Sequence, residues 1–593
     1  MSFSGRKDAL AMLSLAAGAI GTSPLFAGFP LAPFMASAYC GAGWLTWQTT
    51  RSFRNRHIDA TLKEGFVIKS DPVYIEDEDD SLLFGVTTDN HEQLRVKNSF
   101  MARHSAIIGQ SGVGKTVFAE FLLWSQVARG GGYVFLDPKL DAGQKSRMAH
   151  MAKITGREEE FYVINVNEPH NSNTYNPILF GDPDEVASRL MNLVPSTEGN
   201  AGADHYKQTA TYALTVIVAA LQVANKLYTF GDLSIILQSS QAIERLIRLV
   251  PESGEKRSLE IFVDQFRKRT KNGSEIDTER MKTALGGMAG RIAMFAQGKF
   301  GAVFNTVTPE VNLFEIIRDK KMLYVQLPTM GKDIAALNLG KMVVSDLRSA
   351  CAMLQELDEH LRPNPPCMVL LDEFNSIVME GVARLFEQAR SASVALLPAF
   401  QSFGGLRKVS PDFAEQIIQN TWNKIFFKFG SKEAEEAAEL LGKTYGYIKS
   451  LSISESESSG AQLLRTDPNA TDSDGYGVGE SWRQQEEFRF EPDKIKALSI
   501  GEAFVMVGAR AFHIKTPMVV FPDNLPPHKV IKHYVPLPHN KTPLEFEKLY
   551  KSLLIGGGDA ANSDEKSKDK GDGSGIAENK SEEVKPVNLK GAA

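Results

Sequence analysis

The sequence predicts an α/β fold with a largely parallel sheet, interrupted by an all-α insertion and preceded by a two-helix transmembrane hairpin. Three observations carry that expectation. A strand-like run, "HSAIIG" from His104, leads directly into the glycine-rich stretch "GQSGVGKT" and then into a helical pattern. Short, uniformly apolar runs recur downstream with longer helical segments between them, the pattern of strands buried on both faces. Near the N-terminus no charged residue occurs between Asp8 and Arg51.

That uncharged stretch is about twice the ~20 residues one membrane-spanning helix needs. Gly21, Pro24, Gly28 and Pro30 cluster near its middle, so it divides into two spans, about Ala9 to Phe26 and Leu31 to Trp47, joined by a short outer turn. Trp44 and Trp47 stand near the inner end, where amphipathic rings favour the interface. Arg6 and Lys7 before the spans, and Arg51, Arg54 and Arg56 after them, place both ends in the cytoplasm by the positive-inside rule. A cleaved signal peptide is the competing reading, and the length of the apolar region with its second span argues against it.

With 593 residues the chain has room for roughly three or four domains. Its formal net charge of -6 offers no basic surplus to announce a nucleic-acid partner, although a basic channel is compatible with that total. Cys40, Cys351 and Cys367 are too few and too scattered for a disulfide framework or a zinc site.

The loop Gly109-Gln110-Ser111-Gly112-Val113-Gly114-Lys115-Thr116 has the strand–loop–helix context of a phosphate-binding loop. Backbone N–H groups of Gly112, Val113 and Gly114 can cradle a β-phosphate, Lys115 can reach the β- and γ-phosphates, and the Thr116 hydroxyl can hold Mg²⁺. A second strand, "GGYVFLDPK", ends in Asp137-Pro138-Lys139; Asp137 reads equally as a turn former before proline and as a residue at the ligand-binding edge of the sheet. The strand "CMVLLDEF" ends in adjacent carboxylates. Alone it reads equally well as a strand followed by a solvated turn; paired with the loop, it places Asp372 to bind Mg²⁺ through water and Glu373 to orient or deprotonate an attacking water.

Farther along, "GVARLFEQARSASVALLPAFQSF" supplies a helix, a strand and Gln401 at the strand end. A polar side chain there can sense a γ-phosphate, and an arginine from a neighbouring subunit can stabilise its developing charge. Arg390 is the candidate for that arginine and Arg384 the reserve, with an ordinary surface charge as the competing reading for each. No Asn-Lys-X-Asp, well-placed Asp-X-X-Gly or Leu-Ser-Gly-Gly-Gln motif follows the loop, which argues against a small GTPase and against an ABC ATPase. Between the strands, about Asp182 to Gly298, successive segments carry apolar residues at helical spacing and predict an all-helical subdomain. The run "VDQFRKRTKNG" inside it reads as a solvated helix end or a phosphate-backbone contact. A Ser/Gly/Asp-rich stretch, about Ile453 to Glu480, reads as a loop, "IGEAFVMVGARAFHIKTP" as a closing hairpin, and the residues beyond Ile555 as a disordered tail.

Taken in order, these residues resemble the VirD4/TraG/TraD type IV coupling proteins, the ATPases that deliver DNA and proteins to bacterial secretion and conjugation channels. The resemblance rests on the anchor, the loop Gly109 to Thr116, the "DPK" strand end and "NTYNPI" with its Asn176-Pro177. It continues through the helical insertion, "LLDEF", "ARSASVALLPAFQS" and Asn420-Thr421. It implies a RecA-like domain forming a homo-hexameric ring, with ATP and Mg²⁺ at subunit interfaces. Lys115, Thr116, Asp372, Glu373 and Gln401 would form the catalytic set, and Arg390 would act in trans. Implied partners are single-stranded DNA gripped without regard to sequence, relaxase and relaxosome proteins, the secretion channel, and the bacterial inner membrane. The expected division is an anchor at 1–56, nucleotide-binding segments at 57–181 and 299–535 flanking the insertion at 182–298, and a C-terminal helix and tail at 536–593. An FtsK/HerA-like DNA translocase and a nucleotide-binding structural scaffold of a secretion assembly are the alternatives; Glu373 argues against the scaffold.

Overall fold

The computed structural model describes residues 67–69, 80–139, 141–194, 201–270, 273–327, 333–377, 381–456 and 475–550. The expected transmembrane hairpin and the tail after residue 550 lie outside the described residues. Among the described residues no helix is long and apolar enough to cross a membrane.

The centre is an eleven-stranded mixed sheet. In chain order its strands are β1 (Ser81–Thr87), β2 (Gln93–Lys97), β3 (Ser105–Ile108), β4 (Tyr133–Asp137), β5 (Phe161–Asn165), β6 (Met322–Gln326), β7 (Cys367–Leu371), β8 (Val394–Phe400), β9 (Asn423–Phe426), β10 (Glu502–Val507) and β11 (Arg510–Lys515). Their spatial order is β2-β1-β11-β10-β9-β3-β8-β7-β4-β6-β5. From β9 to β5 every neighbour is parallel, and the remaining strands add an antiparallel flank.

Each parallel strand is buried on both faces, which is why the runs read as continuously apolar. Alternate residues still divide between two cores: Val134, Leu136, Val369 and Leu371 face one, while Tyr133, Phe135, Met368 and Leu370 face the other. The second core is filled by the helix Lys115–Ala128, whose Phe118, Leu122 and Trp124 are fully covered.

The insertion leaves the sheet after β5 and returns at β6, running through helices Pro183–Met191, Ala201–Val223, Phe230–Ile236, Ser240–Leu249, Gly254–Asp264, Thr278–Ala293, Gly298–Phe304 and Leu313–Arg318. Five of these starts are set by the side chains of Asp182 with Pro183 and Glu185, Thr229 with Asp232, then Ser239, Ser253 and Asp277. The insertion is not purely helical. The basic run begins at the end of the helix Gly254–Asp264, as one of its two readings has it, and continues as a hairpin, Arg267–Thr270 against Gly273–Ile276, with Arg267 paired to Asp264 at 2.8 Å. Likewise the stretch expected as a loop near Ile453 to Glu480 is framed by a long antiparallel ribbon, Lys443–Ser456 against Gly475–Phe488; its tip, 457–474, lies outside the described residues.

"NTYNPI" fastens the insertion to the sheet. Asn173 accepts from the Val163 amide at 2.9 Å, and Asn176 donates to the carbonyls of Tyr228 (3.2 Å) and Thr306 (2.6 Å). Tyr175 donates to Asp346 at 2.5 Å, and the same carboxylate pairs with buried Arg189 at 3.1 Å. After β11 the chain crosses the edge strand β5: His528, Val530 and Ile531 bond to Asn171 and Asn173. It then pairs Thr542–Pro543 beside Lys226–Leu227 and ends on the helix Phe546–Leu549 against the insertion, with the Glu547 amide 2.8 Å from Asp232. The open backbone of β5 is itself capped by Ser172 and Asn173, which bond to Val163 and Asn165.

Candidate nucleotide site

Three adjacent parallel strands deliver the site. β3 leads into the glycine-rich loop; β8, carrying Gln401 just past its end, lies beside it; β7, leading to Asp372 and Glu373, comes next. Parallel strands end at the same edge, so residues far apart in sequence converge there.

The loop is pinned on both sides. The Gly109 amide donates to the Phe400 carbonyl at 3.2 Å, and the Gln110 amide to Lys428 at 3.0 Å. Gly109 admits no side chain, since a Cβ would stand 2.6 Å from Cβ of Phe427. Gly112 (φ 78°) and Gly114 (φ 106°) take left-handed backbone ahead of the helix at Lys115, conformations that glycine adopts without steric cost. Lys115 is buried, and its Nζ donates to the carbonyls of Gly109 (2.6 Å) and Gln110 (2.8 Å). Burial lowers the Lys115 ammonium, against the opposing pull of Glu373 and Asp372.

Across the cleft, Asp372 is buried, and its Oδ1 accepts the Glu373 amide at 2.9 Å. Glu373 takes left-handed backbone, φ 45° and ψ 46°, and both its oxygens accept from Nε2 of Gln401, at 2.9 and 2.8 Å. Lys115, Asp372, Glu373 and Gln401 therefore meet at one sheet edge, with Thr116 lining an adjoining cavity of about 460 Å³. Mg²⁺ in such sites is held through one or two protein oxygens, with water and substrate phosphates completing the shell. The Thr116 hydroxyl and the Asp372 carboxylate fit that requirement as hard oxygen donors.

Lys139 belongs to this edge and was missed. The sequence reading weighed only Asp137 in "DPK", yet Lys139 Nζ lies 2.9 Å from Asp372 and 3.6 Å from Glu373. Burial alone would lower its ammonium; the Asp372 carboxylate beside it reverses that and raises it. No local sequence signal marks it: the pairing of β4 with β7 is what places "DPK" beside "DEF". Asp137 turns inward: it accepts from Tyr324 at 2.6 Å and from the Lys139 amide at 2.8 Å, and burial pushes its carboxyl up to about 6. It shapes the turn that presents Lys139.

Arg390 and Arg384 are not brought to this edge. Both are exposed, and Arg390 sits in the turn Ala389–Ala392 before the amino end of β8, roughly 20 Å from Gln401 at ~3.3 Å per strand residue. Neither belongs to the site of its own chain.

The site and its sheet define the class: a P-loop ATPase. Comparison with known proteins agrees and narrows it. Residues 87–283 match the family model described as "Helicase HerA, central domain", and residues 366–498 match "TraM recognition site of TraD and TraG". The type 4 coupling protein DotL of Legionella pneumophila is 25% identical over 407 residues, 61% of this chain and 52% of DotL. The chain thus spans about half the length of that relative. An uncharacterised protein of Mycoplasma pneumoniae is 32% identical over 111 residues, 18% of this chain and 71% of its own length. Among solved structures, the conjugative coupling protein TrwB aligns with a TM-score of 0.48 at 13% identity, covering 76% of this chain and 92% of TrwB. VirB4 of Thermoanaerobacter pseudethanolicus gives 0.42 at 12%, covering 74% and 97%. Over these segments the chain is similar to type IV coupling proteins.

Proposed function

We propose that the chain is an ATP-hydrolysing coupling protein of the bacterial inner membrane. It recruits DNA–protein substrates, the relaxosome, and drives them into a type IV secretion or conjugation channel. The observation that carries this reading is the convergence of Lys115, Asp372, Glu373 and Gln401 at one sheet edge, in a chain whose later segment matches a TraM recognition site. The ligand class is ATP with Mg²⁺; the ion, when bound, neutralises the β- and γ-phosphates.

Lys115 leaves its two loop carbonyls to reach the phosphates. Thr116 and Asp372 would hold the ion, and Glu373, steered by the Gln401 amide, would take the proton of the attacking water. Gln401 bonds to Glu373 and stands one strand from the loop, so it would link phosphate occupancy to the orientation of the base. The exposed Arg390, remote from its own site, fits an arginine offered to a neighbouring subunit of a homo-hexameric ring. Such a ring grips single-stranded DNA chiefly by charge and without sequence preference. The uncharged stretch before Arg51 anchors it by two spans with both termini cytoplasmic. The match to the HerA helicase domain favours a second reading, a membrane-anchored DNA translocase outside any secretion system.

Lys115→Ala separates these claims. The variant is expected to be folded and membrane-inserted, yet to lose ATPase activity and substrate transfer from donor cells. Wild-type transfer by the variant would sink the coupling role, and loss of ATPase in a cell whose transfer never depended on the protein would favour the translocase.

A further inference from the structure

His104 is the residue immediately before β3, and its ring is buried away from the nucleotide edge. It takes left-handed backbone, φ 68°, uncommon for a residue with a side chain. Its Nδ1 accepts the Leu396 amide at 3.0 Å. An amide can only donate, so the ring proton is on Nε2, which donates to the Phe386 carbonyl at 2.8 Å. The ring also packs edge-on against Phe386, centroids 5.5 Å apart. Phe386 and Leu396 bracket the turn that carries Arg390. From its other side the turn is held by Gln355, which donates to the Gln388 carbonyl and the Ser391 hydroxyl, both at 2.7 Å, and by Arg362, which donates to the Ser391 carbonyl at 2.8 Å. One imidazole thus bridges the strand that feeds the phosphate loop and both ends of the arginine turn. Burial, and to a lesser extent the charge of Arg390, hold it neutral, lowering it to about 4 despite the Phe386 bond.

We propose that His104 is the positioning residue through which the strand of the nucleotide loop sets the arginine that each subunit offers to its neighbour. The inference rests on the ring reading above. Fixed at the start of β3, the ring holds Leu396 through Nδ1 and Phe386 through Nε2, and so the turn that carries Arg390. His104 touches no substrate, and its effect should be felt in the adjacent site rather than in its own.

Subunit mixing tests this in the full-length, detergent-solubilised protein. Lys115→Ala subunits keep Arg390 but lack turnover; Arg390→Ala subunits keep turnover residues but lack the arginine. Each alone should be inactive, and their mixture should regain ATPase activity. His104→Asn, which tolerates the left-handed backbone but is too short to span both bonds, is then placed on one partner at a time. On the Lys115→Ala subunit it should reduce the regained activity about tenfold or more, as small misplacements of a charge-stabilising group do. On the Arg390→Ala subunit it should change it little. Equal loss from either position, or loss only from the Arg390→Ala position, would overturn the proposal. A mixture that regains nothing without any His104 change would instead remove the trans-arginine reading, and the proposal with it. Should His104→Asn not fold, His104→Gln, whose amide can accept and donate, is scored in the same two positions by the same criterion.

Discussion

Glu373 occupies a left-handed conformation that costs a non-glycine residue on the order of 1 kcal/mol or more. What holds it there is local: its amide is bonded to Asp372 and its carboxylate to Gln401 and Lys139. The strain aims the carboxylate along the sheet edge, toward the loop. His104 is a second strained residue, and its chemistry gives a pH dependence. The folded chain keeps the ring neutral down to about 4, whereas the ordinary value is 6.5. Between those values the unfolded chain binds the extra proton, so the stability tied to the neutral ring is intact above about pH 6.5. It is lost as pH falls toward 4, by up to about 3 kcal/mol at 1.36 kcal/mol per unit. Thermal unfolding from pH 7.5 to 4.5 should show a steeper decline for the wild type than for His104→Asn; parallel declines would contradict the assignment.

At the scale of elements, the strands of the site were legible because a parallel strand buried on both faces must be continuously apolar, and its polar terminus is then conspicuous. Asp372, Glu373 and Gln401 stand out in sequence for that reason. Lys139 does not, because its role depends on β4 lying beside β7, an adjacency no local pattern encodes. The end of the strand Lys443–Ser456 was read as loop from Ile453 because serines recur there, although Tyr445, Tyr447, Leu451 and Ile453 fall at the two-residue period of a strand. "NTYNPI" was recognisable only as a resemblance; in the fold it is the joint between insertion and sheet. Arg189 completes that joint, donating to the Phe180 carbonyl at 3.0 Å and to Ser349 at 2.8 Å besides pairing with Asp346. Burial raises the Asp346 carboxyl and Arg189 opposes it, so removing the arginine strands a buried acid. Arg189→Ala should destabilise the protein by about 3–5 kcal/mol, read as a lowered unfolding midpoint. A loss below about 1 kcal/mol, the range of surface pairs, would mean the joint is not as dry as it looks.

For the whole molecule, the chain after β11 straps the insertion to the sheet, so the two halves of the nucleotide-binding region and the insertion are tied at both ends of the polypeptide's excursion. In the proposed ring, assembly is assigned to the N-terminal anchor. Deleting residues 1–56 is expected to yield a soluble, mostly monomeric protein with weak ATPase activity, measured by light scattering and phosphate release. Stable, fully active hexamers from that truncation would contradict the role given to the anchor.

The central claim is that this site hydrolyses ATP rather than merely holding it, and Glu373→Gln tests it most directly. The amide keeps the size of the side chain but cannot take a proton. Fluorescent-nucleotide binding should stay within about threefold of wild type, while steady-state turnover with single-stranded DNA present falls by about 100-fold or more, the usual worth of a general base. Binding retained together with wild-type turnover would contradict the account.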